Sequence, residues 1–188
     1  VYKRQNRYIL PVFKVVMEEP FIFSEPCRIG MQGIAYLLKV LGVPIGEYSF
    51  QWSSVGPYSS RLRDDMLFEE LEDRSELIGR VELVFHHNCL VQITRIKKMV
   101  SSFPSNSYTA SQKLQCLASI HYLRAEVLPS QSSELSVLAA LVERIPSLGD
   151  QDENVHAFRI IEELLPMELH WKTFPTKRSG SLSEQQGG

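Results

Sequence analysis

Between residues 48 and 65 the apolar period of this chain switches from that of a strand to that of a helix, with Gly56-Pro57 at the changeover. Tyr48, Phe50 and Trp52 alternate with Ser49, Gln51 and Ser53, the pattern of a half-buried strand. Beyond the Gly-Pro pair, Leu62, Met66 and Leu71 are placed to bury the inner side of a helix. A strand handed to a helix through so short a connection must pack against it, which leaves few folds open. The spacing predicts a turn at Gly56-Pro57 and a cap from Ser59 or Ser60. Asp64 and Asp65 fall in the first turns of the helix, where negative charge favours the positive end of the dipole.

Helical spacing dominates elsewhere. Residues 8–17 read as a first helix, with Pro11 tolerated near its start. Residues 29–41 read as a second, because Ile34, Leu37, Leu38 and Leu41 recur at one face. Gly42 stands where a C-terminal cap belongs. Residues 80–85 alternate again and are placed either as a second strand beside 48–53, completing a wing-like hairpin, or as further helix. Residues 90–100 form a helix with Ile93, Ile96 and Val100 on one side. Past the polar loop around Pro104 come three helices: 110–127, opened by a Thr109/Gln112 capping box, then 134–144, then one opened by Asp150 and Glu153 that stops before Pro166.

A chain of 188 residues with 44% hydrophobic content can bury a real core as one domain. The expected organisation is a first unit over 6–103, a helical unit over 104–170 packed on it, and a tail over 171–188 that is Ser/Gly/Gln-rich and disordered towards its end. The opening Val-Tyr-Lys-Arg-Gln resembles translated sequencing-adapter sequence, so residues 1–5 are set aside as non-native and the true start is expected elsewhere. A net charge of −2 supplies no general attraction to nucleic acid or anionic membrane. The apolar runs are too short to span a bilayer. Cys27, Cys89 and Cys116 are widely spaced and odd in number, which fits reduced thiols in a cytoplasmic protein.

The residues that could carry chemistry have simpler explanations. His86, His87 and Cys89 lack the further ligands a metal site needs. His121 shares a helical face with Leu114, Leu117 and Ala118, which marks a core histidine hydrogen-bonded to backbone. Ser59 is not in a nucleophile elbow and is better used as a helix cap. Walker, dinucleotide and His-Glu-x-x-His motifs do not occur. Neither catalytic residues nor a cofactor are expected, and the chain reads as no enzyme.

Charge is more informative. The helix after Gly56-Pro57 carries Asp64, Asp65, Glu69, Glu70, Glu72, Asp73 and Glu76 against Arg61, Arg63 and Arg74. Phosphate would be repelled by most of it, so only Arg61 and Arg63 could face DNA.

Arg28, Met31-Gln32, Tyr36-Leu37-Leu38, Tyr48, Phe50, Gly56-Pro57-Tyr58-Ser59, Leu62 and Asp65 together resemble the uncharacterised YwgA-type proteins of bacteria and archaea. They are more distantly similar to the Panacea antitoxin-associated domain. Residues 116–129 look like the second helical unit of that family, and the likeness spans most of 8–165. Gly33 departs from it, standing where the pattern carries Lys, and Met31 stands in place of Leu. The resemblance implies a mainly α fold: a winged-helix-like unit with a short β-hairpin, plus a C-terminal helical bundle. It also implies a regulatory or defence-associated role in a prokaryote.

The expected function is a non-enzymatic binding module acting on duplex DNA or on a protein partner. Its contact candidates are Tyr48, Trp52, Tyr58, Arg61 and Arg63. The alternative is an antitoxin-like adaptor whose acidic helix, through Glu69, Glu70 and Asp73, meets a basic protein; an uncharacterised enzyme is the third alternative. Homo-oligomerisation is compatible with either, and no membrane contact is expected.

Overall fold

Ser24 opens the first long helix, α1 (Glu25–Val40), its hydroxyl accepting from Cys27 N–H at 3.4 Å, with a proline in the first turn. The helix therefore begins four residues before the start set by its apolar face alone. The computed structural model describes residues 12–13, 15–16, 24–71, 87–104, 107–129 and 131–165, and statements here concern those residues. From Gly30 to Leu38 every side of α1 is buried. A helix apolar all round belongs at the centre of a protein rather than on its surface. It ends at Leu41 in a Schellman motif: Gly42, at φ 76°, donates to Lys39 C=O and Val43 donates to Leu38 C=O.

After α1 comes a hairpin of β1 (Gln51–Ser53) and β2 (Gly56–Tyr58), antiparallel, pairing Gln51 with Tyr58, Trp52 with Pro57 and Ser53 with Gly56. The expected turn at Gly56-Pro57 is thus corrected. Those residues are the returning strand, and the chain reverses at Ser54-Val55. The Ser53 hydroxyl closes that reversal, donating to Gly56 C=O at 2.9 Å and accepting from Val55 N–H at 3.2 Å. Pro57 is accommodated because a two-stranded ribbon is all edge. The alternative strand at 80–85 lies outside the described residues, as does most of the helix expected over 8–17. Of the latter, Val12, Phe13 and Val16 are helical and buried.

Helix α2 (Ser60–Leu71) follows at once, capped by Ser59, whose hydroxyl accepts from Leu62 N–H at 3.4 Å. Leu62 and Met66 are buried as expected; the Leu71 side chain is outside the described residues. Asp64 and Asp65 lie beyond the first turn, so neither meets the helix end as its sequence position had implied. Helix α3 (His87–Ser101) buries Ile93, Ile96, Met99 and Val100.

Helix α4 (Ala110–Tyr122) begins with the anticipated capping box. Gln112 N–H donates to the Thr109 hydroxyl at 3.3 Å, and Thr109 N–H to the Gln112 side-chain Oε1 at 3.0 Å. It widens into a π turn over Leu123–Val127. Helices α5 (Glu134–Arg144) and α6 (Gln151–Leu164) start at Ser133 and Asp150, whose side chains accept from Ser136 and Glu153 N–H.

The product is a mainly α fold with one short hairpin. Helix α4 lies between α1 and α6, and α5 packs on α6. Residues from Val12 to Leu165 join in one hydrophobic cluster, so the chain on both sides of Pro104 shares a core. Among the described residues no helix is long and apolar enough to cross a membrane.

The contact of α1 with α4 explains Gly33. A Cβ there would stand 2.9 Å from the Leu114 carbonyl oxygen, a backbone atom with little freedom to move. One turn away, a Cβ on Gly30 would meet the Ser111 hydroxyl at 2.8 Å. The two glycines let the helix backbones approach closely, and a long basic side chain at position 33 would force them apart. Gly33→Ala is expected to destabilise by about 1–3 kcal/mol through overpacking, read as a lower urea midpoint at unchanged slope. A variant as stable as the parent would show that the close approach is not needed.

Candidate functional site

Three elements meet where β2 hands the chain to α2, and α1 holds them together. Gln32, 2% exposed, donates from Nε2 to Ser59 C=O at 3.0 Å and accepts from Ser59 N–H at 2.9 Å. The side-chain amide stands in for a strand partner at the one residue between strand and helix. Ser59 C=O also accepts from Arg63 N–H at 3.0 Å as the first bond of α2, whereas Ser59 N–H has the Gln32 oxygen. Leaving that buried donor unmatched would be costly; the amide thus ties the start of α2 to α1. Gln115 of α4 anchors the tip, donating to Val55 C=O at 3.1 Å.

Beside this junction lies a cleft of about 340 Å³ between the start of α1, the hairpin and α2. Its apolar lining is Ile29, Val55, Met66 and Leu67, and its polar lining includes Glu25, Arg28, Tyr58 and Arg63. Glu25, Arg63 and Leu67 are exposed, so the cleft opens to solvent. Gln32 also reaches it. Arg28, Gln32 and Tyr58 are three of the residues that carried the family resemblance, and they are brought to one place. Arg28 is not one of the contact candidates that the sequence pattern points to. Its only signal was membership of that run, since the periodicity of α1 marks apolar faces and ignores a lone arginine.

The structure redistributes the other candidates. Tyr48 is corrected from a surface contact to a core residue: it is 1% exposed, and its hydroxyl donates to Asp65 Oδ2 at 2.9 Å. The inward phase of the aromatic alternation takes it into the core, and Asp65 satisfies the only polar atom of its side chain. Trp52 is half-buried, with its ring centroid 5.9 Å from that of Tyr122 and the Arg144 guanidinium 5.6 Å above it. Tyr58 is half-buried at the cleft.

Arg61 is exposed, 4.0 Å from the Glu47 carboxylate, and Arg63 lies 2.6 Å from Asp64. Residues 69 and 70 belong to α2, but their side chains, and all of Asp73, lie outside the described residues.

His121 is a core residue, fully buried, as its apolar face implied. Its Nδ1 is 2.8 Å from the Tyr36 hydroxyl, so a side chain from α1 holds the ring. Around the pair, Tyr36 meets Phe50 edge-on and packs on Tyr122, whose hydroxyl donates to Phe50 C=O at 3.3 Å. Lys39 donates to Tyr48 C=O. These contacts seat the hairpin on α1 and α4. Burial pushes the Tyr36 phenol well above its usual 10.0, with Glu126 and Tyr122 adding to the shift. Burial and then Glu126 also raise Tyr122.

His86 lies outside the described residues, as does the His87 side chain; Cys89 is half-buried. Among the described residues no three His, Cys, Asp or Glu side chains are grouped to hold a metal. Comparison with family models, curated proteins and solved structures finds no match to this chain.

Two outcomes follow from the junction and the buried phenols. Gln32→Glu keeps the acceptor for Ser59 N–H but sets an oxygen against Ser59 C=O. The variant should lose about 2–4 kcal/mol at neutral pH, where two buried groups are affected. It should regain stability as pH falls, because the protonated carboxyl can donate; a pH-independent loss in urea titrations would contradict this. For the phenols, unfolded tyrosines lose protons near 10.0 while the folded ones keep theirs. The native state then binds more protons, so stability falls as pH rises above that value, by up to about 1.4 kcal/mol per pH unit for each such group. Tyr36→Phe should make the alkaline fall shallower, and an unchanged slope would count against burial as its cause.

Proposed function

We propose that this chain is a non-enzymatic binding module of a prokaryote, regulatory or defence-associated, that works through protein contacts at the cleft between α1, the hairpin and α2. The observation that carries the reading is the charge at the start of α2. Arg61 and Arg63 are the cations of this helix best placed to face DNA, and each stands beside a carboxylate, Glu47 and Asp64. Duplex binding draws its strength from cations free to replace the counterions of phosphate. Here those cations already have anionic neighbours, and the sequence beyond them is acidic. An open cleft with an apolar lining and a few polar groups suits a protein segment better.

The likeness of Arg28, Gln32, Gly56-Pro57-Tyr58-Ser59 and Asp65 to YwgA-type and Panacea-associated sequences supports the prokaryotic and regulatory part of the proposal. It also supports a winged-helix-like relation of the hairpin to α2. A cytoplasmic setting accords with the free thiols Cys27, Cys89 and Cys116.

The test is a fluorescence-anisotropy titration of labelled duplex DNA with the full chain, at low and at physiological salt. The expected result is no saturable binding at either. Tight binding with a steep salt dependence, weakened by Arg61→Ala and Arg63→Ala, would overturn the protein reading in favour of DNA.

A further inference from the structure

Helix α5 is apolar on two sides. Val137, Leu138 and Leu141 are buried, and through them the helix packs on α6 and on the end of α4. On the opposite side Leu135 is 74% exposed, Val142 is 38% exposed, and Ala139 between them is exposed as well. These three stand at i, i+4 and i+7 and so form one stripe along the helix. The outer face of a surface helix is ordinarily charged or polar. Here the row beside the stripe is Ser132, Ser136 and Glu143, and Glu143 is its one charge. Depletion of charge around exposed aliphatic groups marks the centre of a protein contact.

The pattern complements itself. Ala139 lies in the middle, with Leu135 four residues before it and Val142 three after. Two copies laid antiparallel about Ala139 set Leu135 of each against Val142 of the other. The small alanines meet at the crossing, where they let the backbones approach. The charge selects the same arrangement. Glu143 then falls beside Ser132 and Ser136 of the second copy, at the start of its α5, where free backbone N–H groups favour an anion. A parallel pairing would instead hold both Glu143 carboxylates at the negative helix ends. We infer that the outer face of α5 is the contact between two copies of this chain, an antiparallel helix pair centred on Ala139.

Helix α5 has 11 residues, so it is about 16 Å long. A contact of that length buries less than the roughly 800 Å² per partner of a standard interface, so the dimer is weak, forming at about 100 µM and dissociating at about 1 µM. None of the residues lining the cleft belongs to this face. The inference therefore stands apart from the protein-contact reading, and its failure would leave that reading untouched.

The experiment is sedimentation equilibrium of the full chain under reducing conditions across that concentration range. The average mass should rise from 21.5 kDa towards twice that value. Leu135→Gln should weaken association about tenfold, the loss expected on removing one apolar side chain from a contact. Ala139→Glu should abolish it, since two carboxylates would meet at the crossing. Both positions are exposed, so the thermal midpoint of the dilute protein should not change. Leu90→Gln removes an aliphatic group of comparable exposure from α3 and should leave association as it is. Oxidation of Ala139→Cys should link it to itself, and Leu135→Cys should link to Val142→Cys in a mixture of the two, with the parent chain as blank. A monomer at every concentration, a dimer indifferent to Ala139→Glu, an equal effect of Leu90→Gln, or self-linking of Leu135→Cys would overturn the inference.

Discussion

Helix α1 can sit at the centre of this protein only because its backbone comes close to that of α4. At Gly33 the gap is too small for a single methyl group: a Cβ would fall 2.9 Å from the Leu114 carbonyl. Everything else is arranged around that crossing. It brings Tyr36 within hydrogen-bonding distance of His121, and it lets Gln115 of α4 reach the hairpin tip while Gln32 of α1 reaches its end. Two neighbouring helices thereby hold a hairpin of two three-residue strands, an element that alone would be marginal in water.

The second constraint is polar. Strand-to-helix junctions leave backbone groups that belong to neither ladder, and burying them unpaired is costly. Gln32 accepts from Ser59 N–H and adds a second bond to Ser59 C=O, which already accepts from Arg63 N–H in the helix ladder, while the Ser59 hydroxyl caps α2. Tyr48 and Asp65 add a tie between the chain entering β1 and the middle of α2. The cleft is a consequence: α2 is held at an angle that leaves a gap against the first turns of α1. Its floor is apolar because Ile29 and Met66 border the core, and its rim is charged because Arg28 and Arg63 border solvent.

That origin bears on function. If the proposed contact at the cleft is made, its walls are elements the fold fixes firmly, so little ordering cost falls on binding. Arg63 at its rim stands beside Asp64, which weakens its long-range attraction for an anion.

Much of the architecture was legible because it rests on local physics. The helices at 110–122, 134–144 and 151–164 are set by caps and apolar spacing, interactions within a few residues of one another. The core position of His121 followed from its helical face. Other features depended on partners remote in sequence. Gly56-Pro57 reads as a turn by propensity, yet the Ser53 side chain closes the reversal one step earlier. Tyr48 looks like a surface aromatic until Asp65, seventeen residues on, takes its hydroxyl.

Arg28 had no local signal, because a site is defined by convergence, and periodicity records only faces. By itself, then, the sequence determined that this is a mainly helical chain with an extended segment before Ser59, and where most of the described helices begin and end, but not which residues pair in the hairpin. Only the tertiary structure decided which backbones touch, which aromatics are buried and which charges face a common cleft, because those depend on distances between segments that local propensity does not encode.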